Sequence, residues 1–265
     1  MSGSRPKKRF SQNFLADKNI AAKIVSYLEL NESDTVFEIG SGRGTLTQII
    51  EESGAKVFSF EIDNHLIEPL LKKFKDDPNI EIVHDDFLNT EPSRYHEGYF
   101  KLIGNIPYDI TSPLLDWMTQ YRFQFSMAVI TVQREMADRI CSDYGNKNWA
   151  PISIFTQCYF DIKKLFVIPP KAFYPPPKIY STVLSFTPHD KYKIENRPLF
   201  EKIVRQAFKH RRKLLINNLS EIPELDKVRL ETILTNIGLN GKIRAEQLSI
   251  DDYIRLTEEI ASARL

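Results

Sequence analysis

The chain has 265 residues and a net charge of +1, with 42% of residues hydrophobic and 27% charged. That size accommodates one large domain or a medium domain with a small companion, and the balance excludes disordered and collagen-like classes. No apolar run approaches the ~18 residues of a membrane helix, and Met1–Phe10 is polar and basic without an apolar core, so neither a membrane span nor a signal peptide is expected and the protein reads as cytoplasmic.

The charge is unevenly placed. Arg5, Lys7, Lys8 and Arg9 open the chain without an acid, and residues 1–16 read as a basic flexible arm. Arg197 to Lys213 carries seven Lys/Arg against Glu201 alone. Such clusters fit a phosphate backbone, and equally a solvated face.

Asp17 is placed to cap a helix in which Ile20, Ile24, Val25 and Leu28 recur at helical spacing. Thr35 to Ile39 predicts a strand that runs into the loop Glu38-Ile39-Gly40-Ser41-Gly42-Arg43-Gly44; Thr45 to Ser53 predicts a helix and Lys56 to Ile62 a second strand. Further strands are expected at Ile80–Val83, Tyr99–Ile103 and Ser126–Val132, with helices at Leu66–Phe74 and Leu114–Tyr121 between them. This alternation predicts a doubly wound α/β sheet. Asp161–Ile168 and Ser181–Phe186 bracket the proline-rich stretch Pro169–Pro177 and are expected to form an antiparallel edge. Beyond residue 188 the pattern is helical, over Leu199–Leu219, Asp226–Ile237 and Ile250–Ala261. The expected organisation is an α/β domain over 17–188 and a small all-α domain over 189–265.

The glycines at 40, 42 and 44 do not fit the dinucleotide pattern G-x-G-x-x-G, because Thr45 stands in its last position. E-x-G-x-G-x-G is similar instead to the first motif of S-adenosylmethionine-dependent methyltransferases, where a tight turn lets backbone approach the cofactor. A carboxylate ending the second strand has acceptors for two ribose hydroxyls; Glu61 is the first choice and Asp63 the second. Asp86, after the next strand, is placed to meet an adenine amino group. Strand-end acids and glycine turns are common alone, and their order along one chain supplies the specificity. Cys141 and Cys158 lack C-x-x-C spacing and the histidines are scattered, so no metal site is expected.

Asn105-Ile106-Pro107-Tyr108 follows a predicted strand, where open α/β sheets bind ligands. The Asn side-chain oxygen and a main-chain carbonyl can accept both hydrogens of an amino group, Pro stiffens the turn, and Tyr offers a stacking face. An ordinary strand-to-helix turn would also use Asn and Pro. With the glycine loop upstream, methyl transfer to an exocyclic base amine is the stronger reading.

These motifs together closely resemble the KsgA-type rRNA adenine N6,N6-dimethyltransferases. The resemblance runs from Arg9-Phe10-Ser11-Gln12-Asn13-Phe14-Leu15 through the glycine loop and the tetrad to Ala172-Phe173-Tyr174-Pro175-Pro176-Pro177-Lys178, Ala207-Phe208-Lys209-His210-Arg211-Arg212-Lys213 and Arg244-Ala245-Glu246-Gln247-Leu248-Ser249. It implies a Rossmann-like methyltransferase domain with a helical C-terminal RNA-recognition domain. It also implies S-adenosylmethionine as cofactor and adenosines of 16S rRNA in the small ribosomal subunit as substrate; separately, a monomer is expected. By the same resemblance Gln12, Asn13, Leu15, Glu38, Gly40, Gly42, Gly44, Glu61, Ile62, Asp86, Phe87 and Asn105 are expected at the cofactor. Ile106, Pro107, Tyr108 and Phe173 are expected with Asn105 at the target base, and Arg205, Lys209, Arg211, Arg212 and Lys213 on RNA. Ser41, Asp85, Asp109 and Tyr180 depart from the family pattern, and the glycine loop leans toward the related Erm-type 23S rRNA enzymes. An Erm-type enzyme and a noncatalytic ribosome-assembly factor are the alternatives.

Overall fold

The computed structural model describes residues 13–223 and 225–263. Gln12 and residues 1–12 of the predicted arm lie outside the described residues. The chain divides into two compact units, Met1–Ala137 with Phe160–Pro188, and Asp138–Tyr159 with His189–Leu265.

In the first unit the elements are β1 (Phe14–Leu15), α1 (Lys18–Ser26), β2 (Thr35–Ile39), α2 (Thr45–Glu51), β3 (Lys56–Glu61), α3 (Asn64–Phe74), β4 (Ile80–His84), β5 (Phe100–Asn105), α4 (Thr111–Gln120), β6 (Phe125–Gln133), β7 (Phe160–Ile168), β8 (Phe173–Tyr174) and β9 (Ser181–Pro188). Asp17 caps α1 by accepting from the Asn19 and Ile20 N–H groups. Seven strands form one sheet in the order β4-β3-β2-β5-β6-β9-β7. The strands from β4 to β6 are parallel, while β9 runs antiparallel to both β6 and β7, which gives the expected antiparallel edge. All of β2 is buried, as a central parallel strand covered on both faces must be. Phe37 on one face of β2 stacks on Phe100 of β5 at 4.2 Å. Val36, facing the other way, joins the core beneath α1 and α2 with Ile24, Leu46 and Ile50.

In the second unit are α5 (Arg134–Ile140), within which the chain passes from the first unit, then α6 (Pro151–Gln157), α7 (Arg197–Ala207), α8 (Leu215–Leu219), α9 (Lys227–Asn236) and α10 (Ile250–Ser262). Asp138–Tyr159 groups with the C-terminal helices although it precedes residue 188, for a physical reason. Trp149, Ile154 and Cys158 are buried in one core with Phe200, Leu215, Leu234 and Tyr253. The Trp149 indole N–H donates to the Leu248 carbonyl at 3.0 Å.

The single helix expected over Leu199–Leu219 is corrected. It is α7 and α8 with a turn at 208–214 between them, so positions 205, 209 and 212 do not share one helical face. The buried side chain of Asn218 competes with helix continuation by donating to the carbonyls of Ala207 at 2.6 Å and His210 at 3.1 Å. Leu215 turns inward and its N–H donates to the Ile243 carbonyl at 2.9 Å.

Among the described residues no helix is long and apolar enough to cross a membrane. Trp149→Ala is expected to destabilise the second unit by about 3–5 kcal/mol, since it removes a large buried ring and its hydrogen bond. Chemical denaturation checks this; a loss under about 1 kcal/mol would show that residues 138–159 do not contribute to that core.

Candidate active site

The chain leaves β2 toward β3 and β4 on one side and returns to place β5 on the other, so the loops after β2 and β5 diverge and open a crevice between them. Gly40, Gly42 and Gly44, after β2, all have left-handed φ. At Gly42 a Cβ would also lie 3.0 Å from the Phe14 ring, and at Gly44 2.7 Å from the Phe74 ring. Side chains are therefore disfavoured by both conformation and space at Gly42 and Gly44, and by conformation alone at Gly40.

The loop is held by backbone donors. Gly40 and Ser41 N–H groups donate to the Phe60 carbonyl at 2.9 and 3.0 Å, and Gly42 N–H donates to Glu61 Oε2 at 2.8 Å. Glu61 Oε1 accepts from Ile62 and Asp63 N–H at 3.0 and 2.9 Å. Oε2 retains a lone pair for a further donor. Burial raises the Glu61 carboxyl pKa, and the three N–H bonds work against that rise. Asp63, the second choice for the ribose, caps α3 by accepting from the His65 N–H. Asp86 accepts from the Leu88 N–H at 3.0 Å and the Asn89 side chain at 3.2 Å. Ile62 is 45% exposed, an uncovered apolar surface beside these acids.

Glu38 sits beneath the loop. It is 1% exposed, and its Oε2 accepts from Thr47 Oγ1 at 2.5 Å and Ser59 Oγ at 2.6 Å, while Ser59 Oγ lies 2.6 Å from Ser41 Oγ. Burial raises its pKa to about 7, and Oε1 has no hydrogen-bond partner. Glu38 thus shapes the loop from below and does not line the cleft.

On the β5 side, a Cβ at Gly104 would lie 2.9 Å from Ile106 Cγ2 and 3.1 Å from Ile39 Cβ, so this glycine lets β2 and β5 close around Ile106. Asn105, ending β5, donates from Nδ2 to the Asn13 carbonyl at 3.1 Å. Its Oδ1 is thereby left as the acceptor end. Tyr108 is half-buried with its hydroxyl 2.8 Å from Ser181 Oγ, and burial raises its pKa.

The segment 13–16 covers the crevice, and residues expected to be an arm are partly a strand. Phe14 and Leu15 pair antiparallel with Tyr174 and Phe173. Thr45 Oγ1 donates to the Leu15 carbonyl at 3.0 Å, and the Arg43 guanidinium lies over the Phe14 ring at 4.9 Å and the Tyr174 ring at 5.5 Å.

One cleft is lined by Asn13, Leu15, Gly40, Gly42, Glu61, Ile62, Asp86, Phe87, Asn105, Ile106, Pro107, Tyr108 and Phe173. The described residues expected at the cofactor and those expected at the base are therefore together, with Gly44 and Glu38 off the wall. Phe14, Ser41, Arg43 and Asp109 also line it. Sequence reasoning assigned them no role: the Phe14–Arg43–Tyr174 stack joins residues with no periodic relation. In the second unit Arg205, on α7, and Lys209, Arg211, Arg212 and Lys213, on the turn after it, are all exposed. Among the described residues no group of three His, Cys, Asp or Glu side chains is placed to hold a metal ion.

Residues 3–262 match the family model described as ribosomal RNA adenine dimethylase. The chain is 37% identical to ribosomal RNA small subunit methyltransferase A of Syntrophus aciditrophicus, over 97% of this chain and 95% of that protein. It is 36% identical to the protein of the same name from Caldanaerobacter subterraneus, over 97% of each. Among solved structures it is similar to a 23S rRNA methyltransferase, ErmE, with a TM-score of 0.73 and 28% identity over 94% of this chain and 100% of that one. A dimethyladenosine transferase from Plasmodium falciparum shares the fold, with a TM-score of 0.82 at 23% identity over 95% and 98% of the two chains.

The Glu38 carboxyl generates a pH prediction. With its folded pKa raised from 4.5 to about 7, the folded state holds this proton more tightly than the unfolded chain does between those values. The Glu38 contribution to stability is therefore full below about pH 4.5 and is lost as pH rises to about 7, by on the order of 3 kcal/mol. Glu38→Gln is expected to flatten most of that fall, with a residual slope from Glu61, whose pKa moves the same way. Melting temperatures at about pH 5 and about pH 8 check this; an unchanged difference in the variant would reject it.

Proposed function

The chain belongs to the ribosomal RNA adenine dimethylase family, and from that membership we propose that it dimethylates N6 of two adjacent adenosines in the 3′-terminal hairpin loop of 16S rRNA during small-subunit assembly, as a cytoplasmic monomer using S-adenosylmethionine. The observation that carries the base chemistry is Asn105: with Nδ2 committed to the Asn13 carbonyl, Oδ1 faces the task of accepting an amino hydrogen.

The residues present fit the cofactor. Glu61 Oε2 retains acceptor capacity for a ribose hydroxyl, Ile62 offers an uncovered apolar surface to a purine, and Asp86 stands beside it on the cleft wall. A Cβ at Gly40 would meet nothing within 4 Å, so the loop backbone itself forms an open wall for close approach. When bound, S-adenosylmethionine supplies an electrophilic sulfonium methyl group.

Adenine N6 is a weak nucleophile because its lone pair is delocalised into the ring. Asn105 Oδ1 and the Ile106 carbonyl accept its two hydrogens and favour a pyramidal nitrogen, so positioning carries most of the rate. Tyr108 and Phe173, on the same cleft, hold the flipped base between aromatic faces. Tyr108, with its pKa raised, remains a neutral phenol and orients through Ser181 without acting as a base. The alkylated nitrogen is acidic and loses its proton after methyl transfer. For the second transfer the monomethylated nitrogen must rotate so that its remaining hydrogen faces an acceptor. Arg205, Lys209, Arg211, Arg212 and Lys213 supply exposed positive charge for rRNA phosphates.

Asn105→Ala is expected to lower methyl transfer by roughly a hundredfold or more, the scale of removing one polar contact aligned with the reacting atom. The test is transfer from labelled S-adenosylmethionine to unmethylated small subunits, with nucleoside analysis of the product. Dimethyladenosine in 16S rRNA, lost in the variant, supports the proposal. Transfer to 23S rRNA alone would replace it with the Erm-type activity, and tight subunit binding without transfer would replace it with an assembly role.

A further inference from the structure

The basic turn at 208–214 carries its own acid. Glu221, just beyond α8, places Oε2 2.8 Å from Lys209 Nζ and Oε1 3.4 Å from Lys213 Nζ and 3.3 Å from His210 Nε2. Gln206 Nε2 also donates to Oε2, at 3.3 Å. One carboxylate thus occupies the point on which the ammonium groups of Lys209 and Lys213 converge. Arg211 and Arg212, between them in sequence, are exposed and make no ion pair among the described residues.

The geometry resembles a phosphate site already filled by an anion: two ammonium groups, an imidazole edge and an amide all directed at the same two oxygens. We propose that Glu221 is an internal counter-ion that a phosphate of the RNA backbone must displace to reach Lys209 and Lys213, so that it limits binding to RNAs that also engage Arg211 and Arg212. This rests on the rRNA reading of the same surface given above. The lysines exchange one anion for another, so their net gain from any phosphate is small. Arg211 and Arg212 face no such exchange and supply the favourable balance. The carboxylate keeps its charge in this role, because the Lys209 hydrogen bond holds its pKa down at about 2. The proposal concerns affinity and selectivity, not the methyl-transfer step.

Replacing Glu221 by Gln keeps the shape and removes the charge. With the full chain, binding is measured across a salt series to two RNAs of equal length, the 3′-terminal hairpin of 16S rRNA and an unrelated hairpin. Glu221→Gln is expected to tighten both, the unrelated RNA more, so that the ratio between them narrows by several fold. For the unrelated hairpin, which leaves Glu221 on the lysines in the parent chain, two lysines released to phosphates steepen the plot of log K against log salt by roughly 1.4–1.8. Adding Lys209→Ala and Lys213→Ala to the Gln variant is expected to abolish the gain. Weaker binding with an unchanged slope would overturn the proposal and make Glu221 a brace that positions the lysines. An unchanged affinity and slope would overturn it as well. Glu221→Ala is measured in parallel, with melting curves, so that a defect peculiar to one side chain is recognised. Arg211→Ala with Arg212→Ala separates the two readings: if RNA binding survives that pair intact, the rRNA reading of this surface fails whatever Glu221 does.

Discussion

Three backbone N–H groups converge on the Glu61 carboxylate, from Gly42 in the loop after β2 and from Ile62 and Asp63 in the turn after β3. This tie fixes the separation of the two loops, together with the Phe60 carbonyl, to which Gly40 and Ser41 donate. A carboxylate suits this position because three N–H donors exceed the two lone pairs of a single amide oxygen. Glu38 supports the same loop from below through Ser59 and Ser41, and its burial opposes its charge. Two carboxyls therefore divide the work. Glu61 faces the cleft with capacity to spare, and Glu38 is enclosed and holds the loop to the sheet.

The segment 13–16 extends this arrangement to the other side of the crevice. The Asn13 carbonyl orients the Asn105 amide, the Leu15 carbonyl accepts from Thr45 at the start of α2, and β1 pairs with the strand that carries Phe173. The glycine-loop wall and the Asn105–Tyr108 wall of the cleft thus share one short piece of backbone. A two-residue strand pair is weak by itself. Its stability comes from Phe14, which is buried against the Gly42 turn and lies under the Arg43 guanidinium.

Local signals made much of this legible. Thr35–Ile39 is a strand to the residue, because an uninterrupted β-prone run ends at a glycine that must turn. Asp17 caps α1 and the antiparallel edge is present, both written in short-range chemistry. The pairing of β1 with β8 was not legible, since neither two-residue strand has periodicity and only their register against each other defines them. Residues 138–159 lie in sequence before the last strands of the sheet, whereas Trp149 and Ile154 are placed by contacts with residues much later in the chain. The same holds for the break between α7 and α8. Leu199–Leu219 has helical spacing throughout, and a single buried amide, Asn218, with its two carbonyl partners outweighs that spacing. Gly104 is illegible for the opposite reason: a lone glycine in a strand carries no signal until the side chains that press on it are known.

The Asn218 turn also explains why a counter-charge belongs beside it. Drawing residues 209–213 into a tight turn brings Lys209 and Lys213 close enough to share one carboxylate, and their repulsion opposes the turn in the free protein. The Asn218 hydrogen bonds, with Oδ1 left unpartnered, are an incomplete offset. An acid at 221 relieves the repulsion in the folded turn and, on the proposed rRNA reading, stands where an incoming phosphate would. On that reading, folding and RNA binding compete for the same two lysines. A sequence that optimised binding alone would lack that acid and present a less settled turn; one that optimised the turn alone would not need Arg211 and Arg212 exposed beside it.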